Sequence, residues 1–160
     1  MGSDGGPWRN ISDHPATLEY GTAWSPDSKR VAFTSNRDGP RRIYAVDADG
    51  RNPEWIVDPG GVEEDPAWSP DGRRLAFLSR RRDHFHTDVW VADLGGGNAR
   101  NLTPAPDVGE PERDSARPAW SPNGRKIACG SRPLDRPDPN YEIFVTNVED
   151  PDPTNLTEHP

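Results

Sequence analysis

Three groups of residues in this chain have types and spacings that could do chemistry. The first is His84-Phe85-His86. On a strand, residues i and i+2 share a face, so the two imidazoles could ligate one metal together with Asp83 or Asp88. The plainer reading, adopted here, is a polar loop leading into a strand, with no metal. The second group is Asp47-Ala48-Asp49-Gly50-Arg51-Asn52. An EF-hand calcium loop wants oxygen donors at positions 1, 3 and 5 and glycine at 6. Arg51 and Asn52 stand at the last two of these, so the stretch reads as a hairpin turn. No cofactor is expected, and calcium is kept only as a candidate at acidic loops. The third group is acidic: Glu63-Glu64-Asp65 and Glu110-Pro111-Glu112-Arg113-Asp114. Carboxylates gathered at one opening attract a basic peptide or a cation. The expected binding residues are therefore Glu63, Glu64, Asp65, Glu112, Arg113 and Asp114, against the simpler picture of a solvated acidic rim.

Other catalytic signatures are missing. No serine lies in a Gly-x-Ser-x-Gly elbow, and the sequence holds neither a phosphate-binding Gly-x-x-x-x-Gly-Lys-Ser/Thr loop nor a His-Glu-x-x-His zinc motif. Cys129 is the single cysteine. It stands in an apolar run and reads as a small core residue, not a reactive thiol. Asn10-Ile11-Ser12, Asn101-Leu102-Thr103 and Asn155-Leu156-Thr157 have the form of glycosylation sites. They recur because a structural repeat contains them, which makes them poor evidence for sugar.

Composition narrows the partners. A net charge of -8 argues against nucleic acid, whose binding needs clustered basic surface. No apolar run is long enough for a membrane-spanning helix, so no membrane insertion is expected. Met1-Gly2-Ser3-Asp4-Gly5-Gly6 has neither a basic start nor an apolar stretch, and no secretory leader is read there. Apolar residues make up 31% and mean hydropathy is -0.98. With 19 Pro and 15 Gly, such figures also fit disorder. The 6 Trp at regular places argue against it, because large rings are core material.

The elements that would position these residues are set by a repeat. Ala23-Trp24-Ser25-Pro26-Asp27-Ser28, Ala67-Trp68-Ser69-Pro70-Asp71-Gly72 and Ala119-Trp120-Ser121-Pro122-Asn123-Gly124 place their tryptophans 44 and 52 residues apart. A period of about 40–50 residues holding four strand signals suits a propeller blade. In each copy Ala-Trp is a short inner strand and Ser-Pro-Asp-Gly a turn, with Pro presetting φ and Gly accepting positive φ. Ser28 in place of that glycine should cost about 1 kcal/mol if the left-handed conformation is kept. Second strands are expected at 30–34, 74–78 and 126–129, third strands at 42–46, 88–92 and 142–146, and fourth strands at 54–57, 100–103 and 154–157. The second and third strands are nearly continuous in apolar residues, which implies burial on both faces. The tryptophans of the inner strand are expected in the core. The fold class is therefore all-β: a β-propeller of three four-stranded antiparallel blades, half of a six-bladed ring, plus an N-terminal outer strand.

Asn10-Ile11-Ser12-Asp13-His14-Pro15 matches Asn155-Leu156-Thr157-Glu158-His159-Pro160 in phase. The expected divisions are thus 1–15 as leader and outer strand of a preceding blade, then blades at 16–58, 59–103 and 104–160. Three blades expose apolar faces at both ends. The remaining blades in cis, or a second copy in a two-fold dimer, are expected to cover them.

Ala-Trp-Ser-Pro-Asp-Gly-Arg-Arg-Leu-Ala-Phe, with Ser35 to Gly39, Ile43-Tyr44, Asp47 to Gly50 and Arg100 to Thr103, resembles the TolB-type β-propeller repeat. The resemblance runs from Trp8 onward. It implies a propeller whose loops and channel mouth bind protein or peptide without catalysis, in the periplasm or outside the cell. A related setting implies an alternative function, the propeller half of a prolyl-oligopeptidase-like serine peptidase whose catalytic domain is not in this sequence.

Overall fold

A computed structural model of the chain describes residues 9–15, 18–57, 60–80, 86–104, 113–134 and 140–157. Among these, twelve strands form three antiparallel four-stranded sheets. The first holds β1 (Glu19–Trp24), β2 (Arg30–Ser35), β3 (Arg42–Asp47) and β4 (Glu54–Val57). The second holds β5 (Val62–Trp68), β6 (Arg74–Arg80), β7 (Asp88–Asp93) and β8 (Arg100–Asn101). The third holds β9 (Arg113–Trp120), β10 (Lys126–Pro133), β11 (Glu142–Asn147) and β12 (Thr154–Asn155). Each sheet is a meander in chain order. The all-β, three-sheet architecture is the one the repeat implies.

The turn after each inner strand is built from its own side chains. The Ser69 hydroxyl donates to Asp71 Oδ1 at 2.6 Å and accepts from the Arg74 amide at 2.9 Å, while the Arg73 amide also donates to Asp71 Oδ1 at 3.1 Å. Copies one and three repeat this with Ser25, Asp27 and Arg30, and with Ser121, Asn123 and Lys126. Ser28 is left-handed at φ 60°, beside 70° at Gly72 and 68° at Gly124. The expected strain is present. Successive turns also meet: a Cβ at Gly72 would lie 3.7 Å from Pro26, and one at Gly124 would lie 3.7 Å from Pro70.

The core lies between sheets. Ala32, Ile43, Ala45 and Val57 of the first sheet meet Leu75, Phe77 and Ala92 of the second. Ala76, Leu78, Val89 and Leu102 of the second meet Ile127, Cys129 and Phe144 of the third. Burial of each large side chain here is worth about 1.5–3 kcal/mol. β2, β3, β6 and β7 are buried on both faces, as their unbroken apolar runs imply. β11 alternates instead, because only one of its faces is covered. Cys129 is buried, and burial pushes its thiol up to about 11.

Two expectations are corrected. Trp68 and Trp120 pack into the first and second sheet interfaces, and the Trp120 indole N–H donates to the Ala67 carbonyl at 3.0 Å. Trp24 is not core: it is 60% exposed, since among the described residues no sheet stands in front of the first. Residues 9–15 form no strand. They nonetheless sit as an outer strand would. Ile11 packs on Val31, Phe33, Tyr44 and Val46. The Ser12 amide donates to Asn10 Oδ1 at 3.1 Å, as Thr103 does to Asn101 at 3.0 Å. Arg9 donates to the Asp49 carbonyl, as Arg100 does to that of Glu149.

Candidate functional site: the bulged inner strands and the channel mouth

The inner strands β1, β5 and β9 are longer than the Ala-Trp pair suggests, and each carries a bulge at the same place. Pairing slips between Tyr20 and Ala23, between Glu64 and Ala67, and opposite Ala128 and Gly130 in the third sheet. The residue two before the shared alanine is left-handed every time: Gly21 at φ 62°, Asp65 at 49° and Arg117 at 50°. Glycine adopts this conformation freely, whereas Asp and Arg have to overcome about 1–2 kcal/mol to reach it. A bulge inserts one residue and re-aims a side chain. The repeat thus keeps one backbone device and changes the chemistry it carries.

Asp65 is fixed against the preceding sheet. Its amide donates to Thr34 Oγ1 at 3.1 Å. Its carboxylate lies over Gly21, where a Cβ would come 2.7 Å from Asp65 Oδ1 and 3.2 Å from Asp65 Cα. Gly21 is therefore required by both φ and close approach. Arg117 is exposed. Its neighbour Pro118 is buried, which anchors the backbone beside it.

The other described acidic candidates, Glu63, Glu64 and Asp114, fall in these strands and not in loops. Glu63 is fully buried; its Oε1 accepts from the Gly61 amide at 2.7 Å and its own amide donates to the Arg41 carbonyl at 3.1 Å. It stitches β5 to the first sheet and does not face an open mouth. Glu64 is half-buried and pairs with Arg41 Nη1 at 2.7 Å. That guanidinium also donates to the Tyr20 hydroxyl at 3.1 Å. Burial pushes the Tyr20 phenol up from its usual value, Glu64 adding to the effect and Arg41 opposing it. Asp114 accepts from the Thr87 amide at 3.2 Å, and its other oxygen lies 3.4 Å from Arg132 and 3.3 Å from the Tyr141 hydroxyl. Arg132 also lies over the Tyr141 ring at 5.4 Å, a cation–π contact. Arg113 opens β9 opposite Pro133. Glu112 lies outside the described residues, as do Asp83 and His84.

His86 is buried with Nε2 3.6 Å from Asp88 Oδ1. Asp88 Oδ2 in turn accepts from Asn101 Nδ2 at 2.9 Å, tying β7 to β8. Among the described residues no three His, Cys, Asp or Glu side chains converge on a metal-sized site. In the Asp47 turn, Asn52 Nδ2 donates to Asp47 Oδ2 at 2.7 Å and the Arg51 amide to Asp49 Oδ1 at 3.1 Å. Asn98 and Asp93 repeat the first of these contacts at 2.6 Å.

The geometry thus comes to three stacked meanders with a shared inner-strand bulge and a shared side-chain-locked turn. A family model described as the TolB beta propeller domain matches residues 9–113. The chain belongs to the TolB β-propeller family. Solved structures agree on the fold of this TolB-family chain. A putative TolB from Agrobacterium tumefaciens superposes with a TM-score of 0.71 at 21% identity, covering 91% of this chain and 50% of that one. TolB from Acinetobacter baumannii gives 0.66 at 26%, covering 86% and 32%. A Mycobacterium tuberculosis puromycin-hydrolyzing peptidase gives 0.66 at 21%, covering 90% and 24%. The TolB-family chain spans half or less of the length of each.

Gly21, Tyr20, Arg41, Arg117, Arg132 and Tyr141 were not among the sequence candidates. One signal could have found the first and fourth. Aligning the copies on Ala-Trp and reading backwards puts Gly21, Asp65 and Arg117 in one column, and a glycine inside a strand marks a bulge.

Proposed function

We propose that this chain is a non-catalytic propeller module that binds protein or peptide at the mouth of its inner strands. One observation carries the reading. The scaffold positions of the repeat keep nearly the same residues, while the left-handed bulge position changes from Gly21 to Asp65 to Arg117 and holds the last two in a conformation they disfavour. Backbone strain kept at a recurring position whose side-chain chemistry changes from copy to copy supports a functional role there. An acid and a base on adjacent inner strands suit a segment of mixed charge. Glu64 and Asp114, held by Arg41 and Arg132, form an ordered rim beside them. Family membership supports a periplasmic or secreted setting.

The test uses glycine, which keeps the backbone. Asp65→Gly and Arg117→Gly, together, should fold at least as well as the natural chain and lose capture of peptides selected from a library by the natural chain. Unchanged capture by the double variant would overturn the reading. The likeness to the puromycin-hydrolyzing peptidase supports a second one, in which the propeller serves a separate hydrolase domain.

A further inference from the structure

The two sheet junctions share one plan but treat the same arginine differently. Arg30 and Arg74 each open the second strand of their sheet. The outer strand beside them differs: Ala45 pairs with Glu54, whereas its counterpart Val91 pairs with Arg100. Glu54 draws Arg30 back over its own sheet at 2.6 Å, with Asp47 4.0 Å away. Arg100 offers Arg74 no such acid. Arg74 instead crosses to the third sheet, where it pairs with Glu149 at 2.9 Å and stands over the Trp120 ring at 5.2 Å.

Trp68 is the counterpart of Trp120, and among the described residues no cation stands over it. Gly95 holds the place of Glu149: it follows Leu94, whose amide donates to the Arg73 carbonyl as that of Val148 donates to Arg125. The first junction has a cavity of about 440 Å³ at this place. Trp68, Pro26, Pro70 and Leu94 give it apolar walls, and Asp27 and Asp71 supply carboxylates. The cation that lines it, Arg30, is already paired with Glu54. The Ser25 hydroxyl and the Lys29 amide hold the Asp27 carboxyl below its ordinary value, and Ser69 and Arg73 do so for Asp71, so both are anions at neutral pH.

We propose that this cavity binds a guanidinium group, held over Trp68 as Arg74 is held over Trp120, with Asp27 and Asp71 in the role that Glu149 plays at the second junction. A flat, weakly hydrated guanidinium stacks on an aromatic face and pairs with carboxylate at the same time, which a compact ammonium does less well. The methylenes of an arginine would lie against Pro26, Pro70 and Leu94. The site is at the turn end of the inner strands, apart from the bulge, and is independent of what the bulge binds. The group can arrive on a small free cation or on an arginine of another protein, and the chemistry that recognises it is the same.

The experiment follows the Trp68 indole N–H resonance of the full chain, assigned by its loss in Trp68→Phe, as N-acetyl-arginine methylamide is added. The resonance should shift saturably, with a dissociation constant of about 1 mM for so small a ligand. The neutral citrulline analogue should bind about tenfold more weakly or worse. Asp27→Asn with Asp71→Asn keeps the turns, as Asn123 does in the third copy, and should weaken binding by about tenfold or more. A Gly-Gly-Arg-Gly-Gly peptide separates the sources. Tighter binding than the single residue points to a partner chain and equal binding to a free cation, and either result supports the site. An unmoved resonance at about 20 mM probe, equal binding of the citrulline analogue, or unchanged binding by the Asn pair would overturn the proposal.

Discussion

Two left-handed positions recur in all three repeats, and they obey opposite rules. At the turn the residues are Ser28, Gly72 and Gly124, so glycine is usual and serine the exception. At the bulge they are Gly21, Asp65 and Arg117, so glycine is the exception. The backbone demand is the same in both places. The turn end contacts only the next turn, Pro26 to Gly72 and Pro70 to Gly124, and a side chain there has nothing to do. The bulge end stands on the inner strands, where the Asp65 carboxylate lies over Gly21. At the turn a non-glycine residue is left-handed only at Ser28, whereas at the bulge it is so at both Asp65 and Arg117.

The comparison breaks most sharply at Gly21. Gly21→Ala must hold φ near 62° and place a Cβ against Asp65 and Thr34. It should destabilise the chain by about 2 kcal/mol, combining left-handed strain with crowding. A loss below about 0.5 kcal/mol in urea unfolding would mean that the bulge relaxes and is not a fixed device. Next come the other two bulge residues. Asp65→Gly and Arg117→Gly should each raise stability by about 1 kcal/mol, the larger gain at Arg117 because Asp tolerates this region better. Destabilisation by either would show that its side chain supports the fold. Ser28→Gly should give a gain of up to about 1 kcal/mol and leave peptide capture untouched. If capture falls, the turn end is not mere scaffold.

The smallest effect is on acid stability. The Ser69 hydroxyl and the Arg73 amide hold the Asp71 carboxyl below its ordinary value, and Ser25 and Lys29 do the same for Asp27. A depressed carboxyl contributes stability above its unfolded pKa of about 4 and loses it as pH falls through the folded value. The third turn uses Asn123 for the same bonds and has no such dependence. Asp27→Asn with Asp71→Asn should therefore flatten the stability profile below about pH 4. A profile of unchanged slope would place the acid sensitivity elsewhere.

Much of the fold was legible because it is locally encoded. Pro26, Pro70 and Pro122 start turns wherever they stand, and Gly72 and Gly124 take positive φ without help. Unbroken apolar runs at 30–34 and 74–78 announced strands covered on both sides. The candidate site was less legible. Glu63 and Asp114 look alike as exposed acids in a charged run, yet one is sealed inside a sheet contact and the other is held by Arg132 and Tyr141. Their fates depend on residues far away in the chain, such as Arg41 for Glu64 at 2.7 Å. Left-handed Asp65 and Arg117 carried no signal of their own, because neither residue type announces positive φ inside a strand.

Glu63, Glu64, Asp65, Asp114 and His86, which first invited a chemical reading, divide by position in the stack. Period, turn chemistry and strand pattern follow from residue types over a few neighbours, and the amino-acid order alone dictates them. Whether a given side chain is wall, rivet or open face depends on which sheet stands before it and which behind. Trp24 and Trp120 share the same Ala-Trp-Ser-Pro context, and only the tertiary stack, by placing a sheet in front of one and none in front of the other, makes the first exposed and the second a hydrogen-bonded part of the interior.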